Sequence, residues 1–382
     1  MKKISLFIIT IMLGATSAYA QSNDEINPIT TAAPFLLIAP DARAGGLADM
    51  GVATSPDANA QNYNAAKNAF ASSQWQIGLN YTPWLRNLTN DVSLTSVFVT
   101  NKINERSSWS AGLKYFSLGS IDLTDDIGIS LGSENPNEFS FDGSYAMKLS
   151  ENFSMAVGLR FIHSDLTLRI EDSDIQTINT FAVDLSGYYQ SEEKNYGDFN
   201  GKWRGGFNIS NMGPTVELVV GGNESFIPTN LKLGGGFDFI LDDVNTVTAN
   251  IEFNKLLVPT PSISVNGDDK PPYVQDNVGF LKGMFQSFSD APRGGEEELE
   301  EVIWAFSGEY MYNQVFAVRA GYFHESPNKG NRQYFTIGAG FKFRSSTLDL
   351  SYLINASDVT NPLESTLRFS LSINLGDVYE YF

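Results

Sequence analysis

The sequence predicts an all-β membrane protein, a 14-stranded antiparallel outer-membrane β-barrel with a small amino-terminal plug. Three observations point there: an export signal at the start, a two-residue alternation of apolar and polar residues through the body, and connections that alternate between tight and long.

The export signal comes first. Lys2-Lys3, the apolar run Ile4 to Leu13 and the small-residue ending Ala18-Tyr19-Ala20 make residues 1–20 a secretory signal peptide, cut before Gln21. Beyond it no stretch approaches the ~20 continuous apolar residues of a membrane helix, so the exported chain is expected to be either soluble or a barrel. The chain has no Cys, which removes disulfides, thiolate chemistry and a lipidated cysteine. Lys plus Arg number 25 against 44 Asp plus Glu, a net charge of −19. That balance argues against a nucleic-acid partner, because neutralising phosphates needs a basic face. No Pro/Ser linker or shift of composition divides the chain, so one unit is expected.

Residues 21–73 are expected to form the plug, or hatch. Thr30 to Phe70 lacks a strand alternation and carries turn signals at Pro40-Asp41, Gly45-Gly46, Pro56-Asp57 and the Asn-rich Asn59 to Asn68. A compact segment entering from the periplasmic side fits, since its polar backbone finds partners inside a membrane only in a hydrophilic lumen. Pro40, Asp41, Arg43, Gly45 and Gly46 are read as structural. Asp41 and Arg43, two apart, are expected to pair and fasten the hatch to the wall, and the glycines to allow a sharp turn or close packing. The pattern G-x-x-x-x-G-K is absent, so the segment cradles no phosphate.

Residues 74–382 are the expected barrel. From Phe153 to Phe161 the odd positions are apolar, while the even ones are Ser154, Ala156, Gly158 and Arg160. The same alternation runs through Leu231 to Phe239, Phe335 to Phe343 and Leu367 to Leu375, and builds strands with one oily and one polar face. Strands are placed at 74–84, 91–103, 107–118, 139–149, 153–166, 178–190, 202–211, 228–241, 245–258, 301–312, 315–326, 333–344, 346–357 and 365–375. Their length exceeds the ~5–6 residues usual in soluble sheets and suits a tilted membrane crossing. Tight turns at Ile103 to Arg106, Ser150 to Asn152, Asp242 to Val244, Asn313-Gln314 and Ser345 alternate with longer links, the longest being 259–300; Glu192 to Gly201 is the one turn longer than the rule expects. With the amino end in the periplasm, the long set faces outside. Tyr81, Trp84, Trp109, Tyr115, Trp304, Tyr310 and Tyr322 are placed as an interfacial girdle. Gly158, Gly234, Gly236, Gly338 and Gly340, on the lumen register, suggest close packing against the inner wall.

The stretch FLLIAPDARAGGLADMGVATSPDANAQNYNAAKNAF, Phe35 to Phe70, resembles the amino-terminal signature of the PorV family, outer-membrane barrels of the type IX secretion system within the wider FadL-like superfamily. The related PorQ family begins similarly, but the closing TLRFSLSINLGDVYEYF and the large loop before Trp304 look more like PorV. The resemblance implies a barrel integral to a Gram-negative, Bacteroidetes-type outer membrane, acting as a carrier and not as an enzyme, with no cofactor. Its implied partners are an SprA-type translocon barrel, cargo proteins bearing a type IX carboxy-terminal domain, a PorU-type sortase attachment complex, and membrane lipid with lipopolysaccharide.

The loop 259–300 is the most informative external feature, because a connection of that length is usually functional. Within it Phe280, Leu281, Met284, Phe285 and Phe288 recur on one face of a short helix, expected to engage a partner's groove or to fold down as a lid. The run Glu296 to Glu301 reads as a solvated acidic helix start; its spacing matches no calcium loop, and no metal site is expected. A lipopolysaccharide deacylase would need a Ser-His pair, and the two histidines, His163 beside Ser164 and His324 before Glu325 and Ser326, have neighbours that point to the opposite face of the strand. A transporter of hydrophobic small molecules would need a greasy lumen, whereas the assignable lumen residues are mostly Ser, Thr, Gly, Lys, Arg and Asn.

Overall fold

The computed structural model describes residues 26–85, 89, 91–125, 127–167, 174–263, 273–274, 278–357 and 365–378, so the signal peptide lies outside the described residues. Fourteen long strands form the wall: β1 Ser73–Pro83, β2 Ser93–Lys102, β3 Ser107–Ser117, β4 Asn137–Lys148, β5 Phe153–Asp165, β6 Ile178–Gln190, β7 Asn200–Met212, β8 Asn230–Ile240, β9 Asn245–Leu256, β10 Ile303–Tyr312, β11 Phe316–His324, β12 Gln333–Phe343, β13 Ser346–Asn355 and β14 Leu367–Val378. Each pairs antiparallel with its neighbours in sequence, and β1 closes the ring on β14, with Ile77 opposite Ile373 and Leu79 opposite Leu371. Closure leaves the sheet without an edge, which lets a sheet sit in hydrocarbon with its backbone satisfied.

The two-residue alternation sorts the faces. On β5, Val157 and Leu159 are more than half exposed on the outer wall, while Ser154, Ala156 and Arg160 are buried toward the lumen. A one-residue slip would turn every such set around, so the hydrophobic pattern fixes the register. Outward rings include Tyr81, Trp109, Tyr115, Trp304 and Tyr310, as a girdle requires. Trp84 departs from that expectation: it is buried with Phe35, Leu94 and Phe116. It lies just past the end of β1, where the chain has left the strand pattern that sends alternate residues outward.

Two 3₁₀ turns, Pro34–Leu37 and Ala65–Phe70, flank the short helices α1, Ala42–Gly45, and α2, Ala60–Tyr63; together they thread the lumen from one mouth to the other. Phe35 and Leu36 pack on Leu94, Phe116, Ile162 and Ile227 near the end that carries the long loops. Ala66, Ala69 and Phe70 pack on Ala146, Ala156 and Tyr188 near the tight turns. The outer half of the lumen is therefore more apolar than the sequence reading allowed, because the hatch itself supplies the rings that cover the apolar wall residues.

The course of the hatch corrects a second expectation. Asn27 donates to the Pro261 carbonyl and to Glu297, both at 3.1 Å, and its backbone N–H donates to the Asn328 carbonyl; the Ala32 N–H donates to Phe226. All these partners belong to long connections. The chain thus begins its described course at the long-loop mouth and runs inward to start β1 at the opposite rim, so Ile26 and the start of β1 lie at opposite ends.

Candidate functional site

Asp41 and Arg43 do not pair with each other. Asp41 caps α1, accepting from the Ala44 N–H at 2.9 Å and from the Tyr63 hydroxyl at 2.6 Å. Arg43 points the other way, to Asp57 at 2.5 Å, to the Ser55 hydroxyl at 2.6 Å and to Glu309 on β10 at 3.2 Å. Glu309 also accepts from Arg319 at 2.5 Å, which in turn meets Asp349 at 2.6 Å. A chain of alternating charges therefore runs from hatch to wall, buried at Glu309, Arg319 and Asp349 and partly exposed at Arg43 and Asp57, each answered by an opposite one. Pro40 contributes its carbonyl, which accepts from the Thr82 hydroxyl at 3.1 Å.

Three more wall residues hold the same segment. Glu252 on β9 accepts from the Gly51 and Val52 N–H groups, both at 2.9 Å, and Asp49 pairs with Arg368 on β14 while accepting from the Tyr334 hydroxyl at 2.7 Å. Ala48 and Asp49 both adopt left-handed φ values, 55° and 62°, unusual for residues with a Cβ, and that turn carries the Asp49 carboxylate to the wall. Glu252, Glu309, Arg319, Asp349 and Arg368 were not singled out from sequence. Their signal was available, since each is a charge on the lumen register of a strand.

The glycine reading is sharper in the structure. A Cβ on Gly46 would lie 3.0 Å from the Gly338 Cα, and one on Gly45 would collide with the Arg368 guanidinium. Gly234 faces Val52 and Ala53, and Gly236 faces the Ala53 carbonyl, as expected of glycines that admit a hatch. Gly158 and Gly340 instead meet wall residues, whereas Gly78, Gly206 and Gly321, which the sequence reading passed over, meet Asn59, Val52 and Ala48.

The long external loop contains α3, Phe280–Gln286, and α4, Gly295–Glu300. On α3 the five apolar residues divide between two faces. Gly283 and Ser287 are buried, Gly283 against Phe226 and Pro259; Phe280 and Met284 are half-buried; Leu281, Phe285 and the following Phe288 are exposed. The helix therefore lies down on the mouth and still presents an apolar edge outward.

Within the acidic run Glu297 and Glu301 are buried in a clamp, while Glu296 stays exposed. Lys329 donates to Glu297 at 2.6 Å and to Glu301 at 3.0 Å, and Lys255 donates to Glu298 at 2.9 Å and Glu301 at 2.6 Å. The acids were read as solvated because their cationic partners are distant in sequence. Burial raises the Glu297 carboxyl, but the Lys329 hydrogen bond, the Arg293 N–H and the Lys329 charge outweigh it and hold Glu297 below the usual carboxylate range. Asp290, nearby, moves the other way, raised by burial.

At the histidines, the His163 ring meets the Asn179 side chain at 2.8 Å, while the Ser164 hydroxyl donates to Glu138 at 2.7 Å on the opposite face. Glu325 pairs with Arg332 at 2.7 Å. Behind the hatch a cavity of about 480 Å³ opens at the outer mouth, lined by Ile29, Leu37, Ile38, Trp84 and Leu256 together with charged Lys329 and Arg332.

A sequence model described as "Type IX secretion system protein PorV" matches residues 21–263, more than half of the chain. The chain belongs to the PorV family. No curated protein matches it. Among solved structures, the TodX deltaS2S3 mutant monoaromatic hydrocarbon channel aligns with a TM-score of 0.53 at 11% identity, over 88% of this chain and 99% of that one. The Ralstonia pickettii toluene transporter TbuX aligns at 0.47 and 10% identity, over 90% and 100%. At such identities the likeness concerns the barrel fold alone, and it rests on the first of the two. This PorV-family chain is thus an outer-membrane barrel of the type IX secretion system that shares its barrel fold with the TodX channel.

Proposed function

We propose that this PorV-family barrel is a carrier and not a channel or a catalyst. It binds the carboxy-terminal signal domain of exported cargo, takes it from an SprA-type translocon and delivers it to a PorU-type attachment complex at the cell surface. The observation that carries this reading is a contrast between inside and outside. The lumen is occupied along its length by a hatch tied to the wall through Arg43, Asp49 and Gly51, while the outer mouth presents the exposed Leu281, Phe285 and Phe288. An exposed apolar edge on a helix seated against the mouth is a natural anchor for a protein partner.

Two assays test it. Changing Leu281, Phe285 and Phe288 together to Ser should leave the folded barrel intact, seen as heat-modifiable gel migration, and abolish co-purification with cargo; unchanged co-purification rules out the role of this edge. Deleting the gene should leave proteins with a type IX carboxy-terminal domain in the periplasm.

The outer cavity favours one second reading, uptake of a small molecule with an apolar body, since about 480 Å³ lined by Ile29, Leu37, Ile38, Trp84 and Leu256 beside charged groups suits a drug-sized ligand. A fatty-acid uptake defect with normal secretion in the deletion strain would select it. A deacylase is supported less, because Ser164 and His163 use different partners on different faces; loss of lipid deacylation on replacing His163 would revive it.

A further inference from the structure

Between β3 and β4 the chain leaves the wall as a two-stranded ribbon, Ile121–Thr124 against Ser130–Glu134, which pairs with no strand of the barrel. Its root is fixed, with the Ser120 N–H donating to Asp91 of the adjacent loop at 2.8 Å. Its tip is apolar: Ile127 is 80% exposed, and Ile129 and Leu131 are 59% and 58% exposed. A Cβ at Gly128 or Gly132 would have no neighbour within 4 Å, so the ribbon stands clear of the rest of the molecule there.

An isolated hairpin is marginal in water, yet this tip is ordered by its own polar groups. Asp125 accepts from the N–H groups of Ile127 at 3.1 Å and Ile129 at 2.7 Å, and the Ser133 hydroxyl ties across to Asp122 at 2.6 Å. The result is a knob whose ordering cost is met before any contact is made, which favours binding.

Charge states what the knob fits. From Tyr115 to Met147 the chain contains no Lys or Arg, while Asp122, Asp125 and Glu134 lie on the ribbon. Such a field repels the phosphates of lipopolysaccharide and draws a surface rimmed by Lys and Arg. Position separates the ribbon from α3: on the closed ring, the β3–β4 gap lies six strands from the β9–β10 gap that carries α3, almost across the mouth.

We propose that this ribbon is a second docking site, whose Ile127-Ile129-Leu131 tip enters an apolar pocket rimmed by Lys and Arg on a protein of the secretion machinery, while α3 holds the cargo. The inference rests on the carrier reading and adds to it the means of handover, since two separated sites allow donor and acceptor to be held at once.

The test places a photo-crosslinking amino acid at position 127 of the full-length chain in cells and identifies the adducts by mass. The expected result is an adduct with a translocon or attachment-complex protein. It should persist in the Leu281, Phe285 and Phe288 to Ser variant, fall several-fold when membranes are washed in 1 M salt before irradiation, and be lost on changing Ile129 and Leu131 to Ser. An adduct only with lipopolysaccharide, with cargo or with a second copy of this chain overturns the proposal, as does no adduct, or one that disappears together with the α3 edge. Failure of the carrier reading itself shows separately, as normal cargo secretion in the deletion strain.

Discussion

Glu309 shows how much rests on a single lumen residue. It faces two guanidinium groups, Arg43 of the hatch and Arg319 of the wall. Replacing it by Gln leaves both short of a carboxylate, and breaking a buried pair typically costs about 3–5 kcal/mol. Urea unfolding of the Glu309→Gln barrel in detergent should show a loss of that order; a loss within error of zero would mean that the hatch is held otherwise. Gly46 gives a steric counterpart. Gly46→Val forces a side chain into the contact with Gly338 and should destabilise by about 1–3 kcal/mol, read as a lower melting temperature. At this scale the sequence was only half legible. Gly45 and Gly46 declared close packing, because a glycine pair has few other uses, but the partners of Arg43 could not be read, since Glu309 lies 266 residues further along the chain. Local spacing suggested Asp41 instead, whose carboxylate is occupied by the helix start it caps.

Among the elements, α4 and the strap from Asn27 to Ala32 decide how the outer platform is held. Glu297 lies at their junction, accepting from Asn27, Lys329 and the Arg293 N–H. Its carboxyl is held below the usual range, so its contribution to the docked loop is fully present above the ordinary Glu value of about 4.3 and is lost as pH falls through the lowered value. Protease cleavage within 278–302 should therefore stay constant through neutral and mildly acid buffers and rise only below about pH 4. Lys329→Met removes the main cause of that lowering and should shift the rise to higher pH; an unchanged profile would show that Lys329 does not set it. The strands were legible at this scale because each needs only its own alternation, and β5 and β6 fall where the pattern placed them to within one residue. The platform was not, because Glu297 and Glu301 read as solvated until Lys255 and Lys329 are brought beside them by the closure of the wall.

For the whole molecule, the sequence specified a ring more completely than it specified the ring's contents. An oily face on every strand, long links at one mouth and tight turns at the other leave a closed cylinder as the arrangement that satisfies all the backbone groups. The direction of the hatch carried no such constraint. A segment without a periodic pattern can enter from either mouth, and only contacts such as Asn27 to Asn328 and Lys102 to the Ala71 carbonyl reveal that it spans both. With the lumen threaded and pinned by the hatch, the carrier reading leaves the work of this family member to its outer surface. Single-channel recording of the purified barrel in a planar bilayer tests that claim most directly. The account predicts no steady conductance from the native chain and stepwise opening once Arg43, Asp49 and Glu309 are all changed to Ala; porin-like open levels from the native chain would contradict it.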